Sequence, residues 1–210
     1  SKYQNVAKRT GVEKLTPARA LVAEMVRRYS LLGIECSILE VQKLGWFLER
    51  SVKRFGGSDA LKFRFQANKY GPYSHNLTKL LDSLDGSYLR CDKRLADADP
   101  LDLIWFNDAK YDRVQAYLNS GEGKQFSSVL EWASATIDGF ESPLGMELLA
   151  TVDWMMQHDD IEPTVEGVME GLKDWAGGEV AGQRKLKIFD RRLVAIALGQ
   201  LQASNRLPAC

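Results

Sequence analysis

The sequence predicts an α+β fold, predominantly α-helical with a small antiparallel β-sheet of two to three strands. Three observations carry this reading. Apolar residues recur at helical spacing behind recognisable caps over residues 16–56, the period switches to two at residues 61–65, and beyond residue 107 the helical period returns.

The first helix opens at Thr16-Pro17, a hydroxyl N-cap followed by proline at the first helical position. Leu21, Val22, Met25, Val26 and Tyr29 form its apolar stripe, and Gly33 stops it. Ser37-Ile38-Leu39-Glu40 reads as a capping box, and the helix behind it places Val41, Leu44, Phe47, Leu48 and Val52 on one face before Gly56-Gly57. Leu61, Phe63 and Phe65 alternate with Lys62, Arg64 and Gln66, which predicts a half-buried strand. Next comes Tyr70-Gly71-Pro72-Tyr73, read as an abrupt strand-to-helix corner, since proline excludes the helical region for Gly71. Leu77, Leu80, Leu81 and Leu84 then stripe a helix that closes at Asp85-Gly86, and Tyr88–Cys91 and Leu101–Phe106 suit two short strands. Helices are predicted over 108–118, 124–137, 143–157, 164–175 and 184–203, with Ser142 and Thr164 as N-caps.

With 210 residues and 45% hydrophobic content the chain can bury a sizeable core. No apolar run reaches the ~18–20 residues of a membrane span, and the first residues lack a signal-peptide core. Cys36, Cys91 and Cys210 are far apart and odd in number, and with only His75 and His158 they complete no zinc spacing, so a reducing cytoplasm is expected. Phosphate-cradling, dinucleotide, nucleophile-elbow and metalloprotease patterns are all missing from the sequence, so no cofactor and no metal is expected.

A formal net charge of zero conceals a division. Residues 1–94 hold 18 Lys/Arg against 9 Asp/Glu, residues 95–172 hold 3 against 16, and residues 173–210 hold 7 against 3. Between Lys124 and Lys173 no basic residue occurs. A surface built from that stretch would repel nucleic acid and attract a basic partner, unless folding intersperses its acids with the basic first half.

His75 is a candidate acid/base, but the sequence places no orienting partner or nucleophile beside it, and the second residue of a helix is usually at the surface. The Gly-Pro pair is explained by the corner alone. The two flanking tyrosines are not, because any core aromatic would serve for packing.

Three stretches together resemble a known family: KLTPARALV at 14–22, LEVQKLGWFLERS at 39–51 followed by YGPYSHNL at 70–77, and GFESPLGMELLATVDWM at 139–155. They are similar to the C-terminal, toxin-neutralising domain of DarG-type antitoxins. The resemblance implies that residues 1–15 are a linker from a missing upstream macrodomain that removes ADP-ribose from DNA, and that 16–210 form a single α-rich antitoxin domain. It further implies a non-enzymatic inhibitor whose partner is a DarT-like ADP-ribosyltransferase toxin. That inhibitor would occupy the toxin's single-stranded-DNA site as a partial DNA mimic, with no direct nucleic acid and no membrane involved. Carboxylates would then replace phosphates and rings would replace bases. The expected partner-binding residues are Tyr70, Tyr73, Trp105, Glu141, Asp153, Asp159 and Asp160, with Trp154 and Trp175 as further ring candidates. Two other readings stand beside it. One is a nucleic-acid-binding domain using Arg27, Arg28, Lys43, Arg50, Lys53 and Arg54 of the basic N-terminal helices; the other is a hydrolase centred on His75, Tyr70 and Tyr73.

Overall fold

The computed structural model describes residues 11–57 and 61–207, so most of the linker expected at 1–15 lies outside the described residues. Residues 11–15 themselves are tied to the body. Val12 N donates to Ser83 O at 2.8 Å, Tyr88 Oη donates to Glu13 O at 2.6 Å, and the Glu13 carboxylate meets Lys110 and Arg113. The packed body therefore begins before residue 16.

The fold is α+β and predominantly helical. Helix α1 (Pro17–Leu31) is capped by Thr16 and α2 (Ile38–Arg54) by Ser37, whose box with Glu40 forms in full. Between them lies the two-residue strand β1 (Cys36–Ser37), which pairs antiparallel with β5 (Leu103–Phe106); β4 (Leu89–Cys91) pairs antiparallel on the other side, giving the order β1-β5-β4. A second, two-stranded sheet is made by β2 (Gln66–Asn68) and β3 (Gly71–Tyr73), and α3 (His75–Leu84) follows directly. The remaining helices are α4 (Tyr111–Leu118), α5 (Ser127–Ile137), α6 (Pro143–His158), α7 (Val165–Gly171), α8 (Glu179–Ile188) and α9 (Arg191–Asn205). One continuous apolar cluster runs from Leu21 through Phe47, Leu81, Ile104 and Leu149 to Leu201. Helix α2 is its axis: it packs against α1, α5, α6 and β3. No helix among the described residues is long and apolar enough to cross a membrane.

Three expectations are corrected. Residues 61–65 are not a strand, although Leu61 and Phe63 are buried and Lys62 and Arg64 exposed as the alternation requires. Lys62 and Arg64 both sit at φ 55°, which no strand tolerates. Their neighbour Phe63 spends its backbone groups on side chains, its N–H donating to Glu49 Oε1 at 3.2 Å and its carbonyl accepting from Ser74 Oγ. Side-chain partners thus replace the ladder. The Tyr-Gly-Pro-Tyr segment is likewise not a corner but a hairpin, with Lys69 and Tyr70 at its tip and Gly71-Pro72 in the returning strand. The helix predicted over 184–203 is two helices, because Asp190 accepts from Leu193 N at 2.8 Å and caps a new start.

Candidate functional site

Four segments far apart in sequence converge on the hairpin tip. Ser37 aims α2 so that Lys43 points at β3, and Lys43 Nζ donates to Pro72 O at 2.8 Å with its side chain fully buried. Gly71 lies against α6: at φ 95°, a Cβ there would fall 2.9 Å from Thr151 Oγ1. From α6, Glu147 faces α8, where Oε1 accepts from Lys185 Nζ at 2.7 Å and from Arg184 Nη1 at 2.7 Å. The turn before α8 clamps the hairpin from outside, as Trp175 Nε1 donates to Asn68 O at 3.0 Å.

Tyr70 is the centre of this arrangement. Its ring is met by two cations, the Arg184 guanidinium 4.8 Å and the Lys69 ammonium 5.1 Å from its centroid. On one side of Tyr70 a cleft of about 320 Å³ is lined by Ile38, Leu39, Lys43, Tyr73 and Leu95 among others. On the other side a second hollow is bordered by Pro100, Leu101, Leu144, Glu147 and Arg184. The first is a largely apolar trough with Lys43 and Lys69 in its lining, a form that suits a ligand with a flat ring and an anionic group. The second carries Arg184 together with the carboxylates Asp99 and Glu147.

The electrostatics are those of crowded amines. Burial, reinforced by the nearby Lys185 charge and opposed by Glu147, pushes the Lys43 amine down to about 7. Burial also lowers Lys185, against the pull of Glu147, whereas the hydrogen bond that Arg184 donates to Glu147 raises Arg184. Two cations, Arg184 and Lys185, share the Glu147 carboxylate, while the Lys43 amine is spent on the Pro72 carbonyl.

The sequence-predicted residues do not assemble into one surface. Tyr70 and Tyr73 both line the cleft, and Tyr73 Oη lies 3.0 Å from Thr78 Oγ1. Trp105 is 36% exposed on β5, opposite Arg90, and Glu141 accepts from Gly139 N; neither borders the cleft. Asp153 faces inward: it is 2% exposed, and its carboxylate is taken by Trp46 Nε1 at 2.8 Å and Arg50 Nε at 2.9 Å. Trp154 and Trp175 are buried as well. Asp159 and Asp160 lie exposed beyond α6, and His75 is exposed on the first turn of α3. The acidic stretch is interspersed with basic partners, Glu131 with Arg28, Glu147 with Arg184 and Lys185, Asp153 with Arg50, Glu166 with Arg191 and Glu170 with Lys173. Much of the basic half is committed too: Arg27 and Arg28 bind Glu24, Arg50 binds Asp153, and Arg54 donates to Asn205 O and Leu207 O. Glu147, Lys185 and Arg184, which organise the site, were hidden in the sequence, since only the fold brings α6 and α8 together. Among the described residues no cluster of His, Cys, Asp and Glu suits a metal ion.

No known family model matches the sequence. Curated proteins do. The chain is similar to DNA ADP-ribosyl glycohydrolases. It is 30% identical over 191 residues to the protein of that name from Thermus aquaticus, which covers 91% of this chain and 46% of that protein. It is 27% identical over 209 residues to the proteins of the same name from Mycobacterium tuberculosis and Mycobacterium bovis, covering 91% of this chain and 54% of each. The chain spans about half the length of the curated relatives it matches. That name corrects the expectations drawn from the resemblance. The relatives are named for hydrolysis, the activity the resemblance had assigned to a domain outside this chain, and not for toxin neutralisation or DNA mimicry. The reading of the chain as a non-enzymatic antitoxin is therefore replaced, and the nucleic-acid-binding alternative on the basic N-terminal helices gains nothing from their committed arginines.

Proposed function

We propose that this chain works in the hydrolytic removal of ADP-ribose from DNA, as part of a DNA ADP-ribosyl glycohydrolase, and that the Tyr70 cleft holds the ADP-ribosyl group. The observation that carries the reading is the similarity to proteins of that name over 91% of the chain. The cleft supports it by its chemistry. ADP-ribose joins a flat adenine to a diphosphate, and the trough offers the Tyr70 ring beside Arg184 and Lys69, with Lys43 at its base. Glu147 borders the hollow beside Tyr70, and with Lys185 and Arg184 both on it, its role in this reading is to fix Arg184 over the ring. The two described thiols, Cys36 and Cys91, fit a reducing bacterial cytoplasm.

The test is to incubate the chain with an ADP-ribosylated oligonucleotide and follow free ADP-ribose by mass spectrometry. Release that falls on Tyr70→Ala and Arg184→Ala supports the reading. Modified DNA that stays intact at equimolar chain overturns the hydrolytic part of it.

A further inference from the structure

A separate cavity, of about 270 Å³, opens between α2, α6 and the 61–65 segment, and the site described above does not use it. Its walls are aromatic. The His158 imidazole stacks on Trp154 at 3.9 Å between centroids and 14° between planes, Trp46 lies 5.2 Å from Trp154, and Phe65 meets Trp46 edge-on at 5.5 Å and 87°. Asp153 fixes this floor by holding the Trp46 indole N–H from beneath. The rim is basic: Lys53, Lys62 and Arg64 border the cavity, together with one carboxylate, Glu49, which is 3.8 Å from Lys53 Nζ and also accepts from Phe63 N.

The backbone of that rim is held in an unfavourable state. Lys62 and Arg64 adopt φ 55° although neither is glycine, and the segment is pinned there by Asn76 Nδ2 on Lys62 O and by Glu49 and Ser74 on Phe63. Long side chains at positive φ cost free energy that an ordinary loop would shed by relaxing. Here the strained turns put two exposed cations on the same edge of an aromatic cavity while Phe63 stays buried. Neither Lys62 nor Arg64 forms an ion pair among the described residues.

We infer that the His158–Trp154 cavity is a nucleotide subsite, in which a base stacks on the exposed His158 ring and the attached phosphate is held by Lys62 and Arg64. Rings that accept any π-face beside unpaired cations are the ordinary means of holding a single-stranded nucleotide unit. The inference rests on the proposed function for the choice of ligand, because DNA carrying ADP-ribose presents such units both in its strand and in the modification. It draws on Lys62 and Arg64 rather than on the basic helix faces, of which only Lys53 borders the cavity.

The test uses fluorescence anisotropy with a labelled single-stranded decanucleotide, and calorimetry with ADP-ribose alone. His158→Ala and the pair Lys62→Ala/Arg64→Ala are surface changes, so they keep the fold where Trp154→Ala would endanger it. The expected result is that His158→Ala weakens oligonucleotide binding by about tenfold, the loss of one stacked base. The Lys62/Arg64 pair is expected to flatten the logarithmic salt slope by about 0.7, the share of the one phosphate they hold. If ADP-ribose alone binds and His158→Ala weakens it, the nucleotide comes from the modification rather than the strand. Unchanged affinity for both probes in both variants, or binding of neither probe by the wild type, overturns the inference. Unmodified oligonucleotide binding does not depend on the Tyr70 cleft, so Tyr70→Ala as a control separates failure here from failure of the proposed function.

Discussion

Glu147 Oε1 lies 2.7 Å from Lys185 Nζ and 2.7 Å from Arg184 Nη1, so one buried carboxylate ties two successive cations of α8 to α6. Lys185 is fully buried, and removing its counter-charge strands an ammonium away from water. Glu147→Ala is expected to destabilise the fold by about 3–5 kcal/mol, read as a lower denaturation midpoint. The double change Glu147→Leu/Lys185→Met is expected to recover most of that loss, since an apolar pair of similar volume replaces the ions.

Lys43 makes stability depend on pH. Burial, with the Lys185 charge adding to it, holds its amine at about 7 in the folded protein, against 10.5 when exposed. Between those values the unfolded chain binds the extra proton, so stability rises with pH through that window. Below pH ~7 the full cost of a buried ammonium is present, and above pH ~10.5 it is gone. Lys43→Met is expected to stabilise by about 1–3 kcal/mol at pH 6, with the gain shrinking toward pH 10, in urea titrations at a series of pH values. A gain that grows with pH would contradict this assignment.

Asp153 is the anchor for two partners on α2, Trp46 and Arg50. Asp153→Ala leaves a buried indole N–H and a half-buried guanidinium without their acceptor, at an expected cost of about 2–4 kcal/mol. Near-ultraviolet circular dichroism from the Trp46–Trp154–His158 group should weaken in the same variant, because Trp46 loses the bond that orients it.

Gly71 is needed twice over, for its positive φ and for its closeness to α6. Gly71→Ala places Cβ 2.9 Å from Thr151 Oγ1 at φ 95°, and an expected loss of about 2–3 kcal/mol follows. At Gly139, where φ is 85° and the space is open, alanine should cost about 1 kcal/mol. Thermal midpoints of the two variants check the difference.

Local chemistry made the helices legible. Thr16, Ser37, Ser142 and Thr164 cap as their spacing indicates, and the β4 and β5 strands fall where their apolar runs stand. What misled was the alternation at 61–65, where burial alternates without strand geometry because Glu49 and Ser74, remote in sequence, take the Phe63 backbone. Tyr70 and Tyr73 stood out because their pairing exceeds what a turn requires, and the fold places both in the lining of one cleft. Asp153 was misjudged because a carboxylate in an acidic run looks solvated until Trp46 and Arg50 are placed beside it. The charge division failed for the same reason: Glu131, Glu147, Asp153 and Glu166 meet their cations only across the fold.

The claim that the Tyr70 cleft holds an ADP-ribosyl group is tested most directly by affinity for one oligonucleotide with and without the modification. The wild-type chain should bind the ADP-ribosylated strand at least tenfold more tightly than the unmodified one, and Tyr70→Ala and Arg184→Ala should each erase that preference while leaving unmodified binding unchanged. Equal affinity of the wild-type chain for the two strands, or a preference that survives both substitutions, would contradict it.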